Sequence, residues 1–176
     1  MAVLNPLRGF VVVAAVVSVT ACGPNHAPES TAAAASAPAP PADDEAGAHK
    51  AHEAYVQAIN SNQLAAFLAT VTDDIVFLPP NSQPIQGKAA VGAWVKDYMG
   101  AYRTEWVKTS KEFVVRGDLA YEWYAYKSVD TPRPDGPAKG TPVVTDTGNG
   151  VNIYRRGVDG VWHVARDAWA TDHPRP

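Results

Sequence analysis

The chain has 176 residues, with 15 Lys and Arg against 18 Asp and Glu for a formal net charge of −3. That length supports one domain, two at most, and no run of five or more Lys or Arg appears, so nucleic acid and anionic lipid surfaces are poor partners. A single cysteine, Cys22, excludes an internal disulfide.

Arg8 precedes an apolar run at 9–17, too short to span a bilayer comfortably, and residues 1–21 read as a secretory signal. The run ends Val19-Thr20-Ala21-Cys22, which resembles the lipobox of bacterial lipoproteins. The resemblance implies cleavage before Cys22, acylation of that residue and a lipid anchor in the cell envelope. Gly23 follows rather than an aspartate, which in that class goes with the periplasmic face of the outer membrane. Residues 22–47 are mostly Ala, Pro, Ser and acidic, and read as a disordered tether. The folded domain is expected over 48–173.

Within it, Ala51, Ala54, Tyr55, Ala58 and Ile59 recur at helical spacing, and Asn60-Ser61-Asn62 ends that helix. A short second helix over 63–71 presents Leu64, Phe67 and Leu68. A brief strand, 75–78, is stopped by Pro79-Pro80, since proline donates nothing to a ladder. A third helix, 88–102, carries Val91, Trp94, Val95, Tyr98 and Tyr102 on one side. Strands at 104–115 and 119–129 follow, then a Pro- and Gly-rich loop at 130–142. Two last strands, 150–156 and 161–169, flank Gly157-Val158-Asp159-Gly160, an Asp-Gly hairpin signal. The order α-α-β-α-β-β-β-β argues an α+β fold, helices laid on one side of a curved antiparallel sheet.

If the hairpin closes evenly, Arg156 pairs with Val161 and Tyr154 with His163. Asn152, Tyr154, His163, Ala165, Asp167 and Trp169 then share one face, mixing rings with polar groups as a ligand cavity needs. Val151, Ile153, Trp162, Val164, Ala168, Arg155 and Arg166 share the other. An apolar outer face bearing Ile153, Trp162 and Val164 predicts a homodimer, the alternative being that these residues face the helices and the Tyr154 and Trp169 face lies outside.

Several segments resemble the NTF2-like (SnoaL-like) superfamily, in particular its DUF4440 group. They are Asn-x-x-Leu-x-x-Phe after the first helix, Asp73-Asp74-Ile75-Val76-Phe77-Leu78-Pro79, Ile85-Gln86-Gly87-Lys88, and Gly117-Asp118-Leu119-Ala120-Tyr121-Glu122. Asp146-Thr147-Gly148-Asn149, Asp159-Gly160-x-Trp162 and Arg166-Asp167-x-Trp169 complete the set. The resemblance spans about residues 50–172 and implies a cone whose mouth admits a small ligand, often paired through its outer sheet face. It also implies a comparison with ketosteroid isomerase, in which a carboxylate base acts with a tyrosine and a protonated aspartic acid. Tyr55 falls at the tyrosine position, Pro79 where the base would stand, Asn152 at the second acid and Trp169 at the pocket tryptophan. One role of three survives, so isomerisation by that route is not expected.

Asp167 is the candidate acid/base, since desolvation raises a buried carboxyl's pKa, with a hydrogen-bonded structural carboxylate as the alternative. Tyr55 is its candidate catalytic partner, with Tyr55 or Asn152 steadying an oxyanion. The expected pocket is Tyr55, Trp94, Tyr98, Trp123, Asn152, Tyr154, Asp167 and Trp169, with Tyr102 as a further wall residue. Strand parity alone leaves Glu122 facing in or out. His163 reads as a rim or interface residue. His49, His52 and Glu53 have metal-like spacing but no further ligand, so no metal and no cofactor is expected. Two functions follow: a lipid-anchored binding module for a small, largely apolar molecule or a partner, and an enzyme using Asp167. The absent acid at Pro79 favours the first; Asp167 and Tyr55 converging on an open cavity would favour the second.

Overall fold

The computed structural model describes residues 42–173; the segment read as a signal, Cys22 and the segment read as a tether up to residue 41 lie outside them. Three helices, α1 (Ala42–Ser61), α2 (Leu64–Ala69) and α3 (Lys88–Ala101), pack on six strands. These are β1 (Val71–Leu78), β2 (Ile85–Gln86), β3 (Tyr102–Arg116), β4 (Leu119–Pro132), β5 (Val144–Arg156) and β6 (Trp162–Thr171). They form one sheet in the order β2-β1-β6-β5-β4-β3. Only β1 against β6 is parallel; the α+β reading of the sequence describes this architecture, with the two-residue β2 added.

Helix α1 reaches back into the segment read as tether. Ala48 is fully buried, Gly47 lies so close to the Trp162 indole that a Cβ there would stand 2.9 Å from it, and Asp44 pairs with Arg156. Composition concealed this, because small residues are what close helix-to-indole packing requires. Ala54, placed on the buried stripe, faces outward. At the other end, Asn62 adopts φ 54, in the left-handed region that asparagine tolerates. Its amide donates to Thr104 O at 3.0 Å and accepts from Thr104 N at 2.8 Å. Asn60 does the same with Trp106, at 2.8 and 2.7 Å. The two side chains cover part of the free edge of β3 as a neighbouring strand would.

Strand β1 starts earlier than its sequence signal, because Thr70 closes α2 onto Phe67 O and accepts from Val164 N at 2.9 Å, drawing Val71 beside β6. Gly87, at φ 86, starts α3 and donates to Ile75 O at 2.8 Å. A side chain would be strained at that φ.

The closing hairpin departs from the even closure. Arg156 pairs with Trp162 and Tyr154 with Val164, and a bulge then brings Ile153 opposite Arg166 and Asn152 opposite Asp167. The bulge inverts parity along β6. Trp162 and Val164 therefore enter this chain's own core, at 6% and 0% exposure, and do not form an outer face with Ile153. His163 and Ala165 likewise leave the face they were grouped on. The apolar residues exposed on the outer face are Leu119, Tyr121, Trp123, Val151 and Ile153. Inside, Tyr55, Phe67, Ile75, Phe77, Val91, Tyr154 and Val164 are the centre of the core.

Candidate functional site

Between α3, the C-terminal half of α1 and the concave sheet face lies a cavity of about 730 Å³. Its wall is aromatic. Trp94, Tyr98 and Tyr102 recur every four residues, with Trp94 and Tyr98 stacked at 5.3 Å and Tyr98 and Tyr102 tilted against each other at 5.5 Å. Phe77 meets Trp94 and Trp169 edge-on at 5.9 and 5.5 Å. Trp106 meets Tyr55 at 6.2 Å and Tyr124 at 5.8 Å.

Asp167 lines this cavity from β6 and is only 5% exposed. The Tyr55 hydroxyl, from α1, donates to its Oδ2 at 2.6 Å, and the Tyr124 hydroxyl, from β4, donates to Oδ1 at 2.8 Å. Burial raises the Asp167 carboxyl above the ordinary aspartate value, against the opposing pull of Tyr55, Lys108, Tyr124 and Asn152. Burial, reinforced by the Asp167 charge, pushes both tyrosines well above 10, so they remain donors. A carboxyl oxygen accepting one hydrogen bond keeps a second lone pair free for a ligand.

Tyr124 reaches Asp167 by lying across β5, and Gly150 leaves it room. A Cβ at Gly150 would overlap the Tyr124 hydroxyl and come within 2.7 Å of Ala168 O. Gly148 does the same for Tyr126, whose hydroxyl donates to Asp146 at 2.8 Å.

Behind this floor is a second polar cluster that sequence reasoning missed. Lys108 Nζ, its side chain wholly enclosed, donates to Glu122 Oε2 at 2.6 Å, to Tyr154 at 3.1 Å and to Asn152 Oδ1. Glu122 Oε2 also accepts from Tyr154 at 2.6 Å and from His52 Nδ1 at 3.0 Å. Burial alone would raise the Glu122 carboxyl, yet His52, the Lys108 charge and Tyr154 together bring it down to about 2. Burial pulls the Lys108 ammonium down and Glu122 pulls it back; we assign the two as an ion pair. Lys108 also sits 4.2 Å above the Tyr124 ring, a cation–π contact under the cavity floor. Parity with Trp106 was the only signal for an inward Lys108.

Tyr55, Trp94, Tyr98, Tyr102, Asp167 and Trp169 thus meet on one cavity, and Pro79 stands in its wall. Asn152 and Tyr154 lie beneath it, in the Lys108 cluster. Trp123 does not belong there: it alternates with the buried Glu122 and Tyr124, so it points to the outer face and is 46% exposed. His49 stacks on Phe113 at 4.2 Å and His52 is occupied by Glu122, so packing accounts for their spacing.

No curated protein matches the chain. Among solved structures, a ketosteroid isomerase-like protein from Erwinia carotovora atroseptica superposes with TM-score 0.66 at 23% identity, over 76% of this chain and 99% of that one. A conserved protein from Planctomyces limnophilus gives TM-score 0.64 at 27% identity, over 73% and 98%. A candidate dehydratase of the NTF2-like family from Streptomyces avermitilis gives 0.64 at 16%, over 77% and 100%. These likenesses carry the cone-shaped fold. Residues 52–170 match the family model described as a SnoaL-like domain, and the chain belongs to that family.

Proposed function

We propose that this domain performs proton transfer on a small, largely apolar molecule held in the cavity, with Asp167 as acid/base. One observation carries the reading: a buried carboxyl with a raised pKa, held by two tyrosine hydroxyls, opens onto an aromatic cavity of about 730 Å³. Tyr55 and Tyr124 orient the carboxyl through the hydrogen bonds they donate to it. The sequence alone favoured a binding module; the convergence of Asp167 with Tyr55 reverses that order. The test is mass spectrometry of small molecules from the native envelope, before and after incubation with the protein or with Asp167→Asn. A compound converted by the wild type and left intact by Asp167→Asn is expected. Conversion by both would remove Asp167 from the chemistry.

The same proposal puts the protein on the cell envelope through an acylated Cys22, supported by Val19-Thr20-Ala21-Cys22 behind the apolar run. It also makes the domain a homodimer through the face bearing Leu119, Tyr121, Trp123, Val151 and Ile153, because monomers rarely expose so continuous an apolar patch.

A further inference from the structure

The cavity wall is one-sided in charge. Three carboxylates line it, Asp130, Asp146 and Asp167, beside ten aromatic side chains and His173, and among the described residues neither Lys nor Arg is in the lining. Among the described residues none of the three has an ion-pair partner, although five other acidic side chains do. Lys108, whose charge acts on Asp167, lies behind the floor and is held by Glu122.

Asp130 and Asp146 stand together. Asp130 pairs with Val144 across β4 and β5, so Asp146 is its diagonal same-face neighbour, at roughly 7–8 Å for such a pair. Asp130 is 6% exposed and accepts from Thr104 Oγ1 at 2.7 Å. Asp146 accepts from Tyr126 at 2.8 Å and from Thr171 at 2.5 Å. Each keeps lone pairs beyond these hydroxyl bonds. Hydroxyl donors orient the carboxylates but bring no positive charge. The Trp94, Tyr98 and Tyr102 rings line the same cavity, and ring faces attract cations through their quadrupole. The Asp130 charge adds to burial in holding the Tyr98 hydroxyl protonated, which preserves that neutral ring.

We propose that the cavity takes an organic cation, a protonated or quaternary amine on an apolar, ring-bearing body, with the ammonium seated between Asp130 and Asp146. This rests on the reading of the cavity as a small-molecule site and names the charge of its ligand. The apolar body then lies along Trp94 and Trp169 towards Asp167, leaving the amine remote from the proton-transfer group. A carboxylated or phosphorylated ligand would meet carboxylates and ring faces with no compensating Lys or Arg in the wall among the described residues.

The test uses the full chain carrying Cys22→Ala to keep it free of lipid, with tryptophan fluorescence as the readout, since Trp94, Trp106 and Trp169 line the cavity. Three probes share a benzyl body: benzyltrimethylammonium, its neutral isostere neopentylbenzene, and phenylacetate. The cation should bind at least about tenfold more tightly than the isostere, weaken with added salt, and exceed phenylacetate by more. Asp146→Asn and Asp130→Asn should each erase most of that preference while leaving neopentylbenzene binding in place. The wild-type comparison needs no variant to fold. Equal binding of cation and isostere, or a preference for phenylacetate, overturns the cation assignment and leaves the cavity reading standing. Failure of all three to bind overturns both.

Discussion

Asp167 and Glu122 are both buried carboxyls in one sheet, and their neighbours drive them in opposite directions. Glu122 is held at about 2, below its ordinary 4.5, so the unfolded chain binds the proton more readily. Its contribution is therefore complete above pH 4.5 and lost as pH falls towards 2. Asp167 is raised above 3.8, so there the native state keeps the proton that the unfolded chain releases, and rising pH costs stability across that interval. Asp167→Asn removes this penalty and should raise stability at neutral pH by about 0.5–2 kcal/mol while abolishing turnover, the exchange expected where a site is strained for function. Urea melts at neutral pH give the sign, and a lower midpoint for the variant would contradict it. Lys108→Met, which leaves Glu122 charged and buried, should cost about 3–5 kcal/mol. Adding Glu122→Gln to the same chain should return part of that loss, because no uncompensated charge then remains.

At the scale of elements, the prediction concerns Gly150. Alanine there collides with the Tyr124 hydroxyl and with Ala168 O in the neighbouring strand. Gly150→Ala should lower the melting temperature and detach Tyr124 from Asp167. Alanine at Gly100, which meets nothing within 4 Å, is the control for helix packing. A Gly150→Ala protein that melts like the wild type would refute this account of why the tyrosine crosses β5. The glycines also mark where the sequence was legible. Helix and strand positions followed from periodicity, because each element buries one face and the apolar spacing records it. Register did not follow, since the bulge beside Ile153 and Tyr154 adds a residue that no alternation announces, and it moved Trp162 and Val164 from outer face to core. Tyr55, Trp94, Tyr98, Asp167 and Trp169 could be nominated from their types and parity. Tyr124, Lys108 and the inward Glu122 could not, because their roles depend on which residues stand opposite in other strands.

For the whole molecule, the outer sheet face and the cavity make separate predictions. Trp123→Lys should leave ligand binding intact and shift the protein from dimer to monomer in light scattering at micromolar concentration. A wild type already monomeric there would remove the dimer from the proposal. With Pro79 in the wall where a base would stand, the protein should show no appreciable isomerisation of a 5-ene-3-oxo-steroid, for loss of general base catalysis costs about 10²–10⁴-fold. Robust turnover surviving Asp167→Asn would reveal another base. Cys22→Ala should block lipidation-dependent processing; unchanged processing at the same bond with retention on membranes would contradict the lipobox.

The floor and the roof of the cavity are fastened differently. Asp167, Tyr124 and the strand residues of the Lys108 cluster belong to ladders that pair β3, β4, β5 and β6 along most of their length. Helix α3 is tied through Gly87 to Ile75 at one end and through Arg133 to Met99 and Ala101 at the other. Local opening follows the sparser fastening. Amide hydrogen exchange should therefore be faster along α3 than in central β5, and a bound ligand should protect the helix more than the strands. Changes in the helical wall would then alter how quickly a ligand enters and leaves, with the acid beneath holding its geometry while its roof is exchanged for one of another shape.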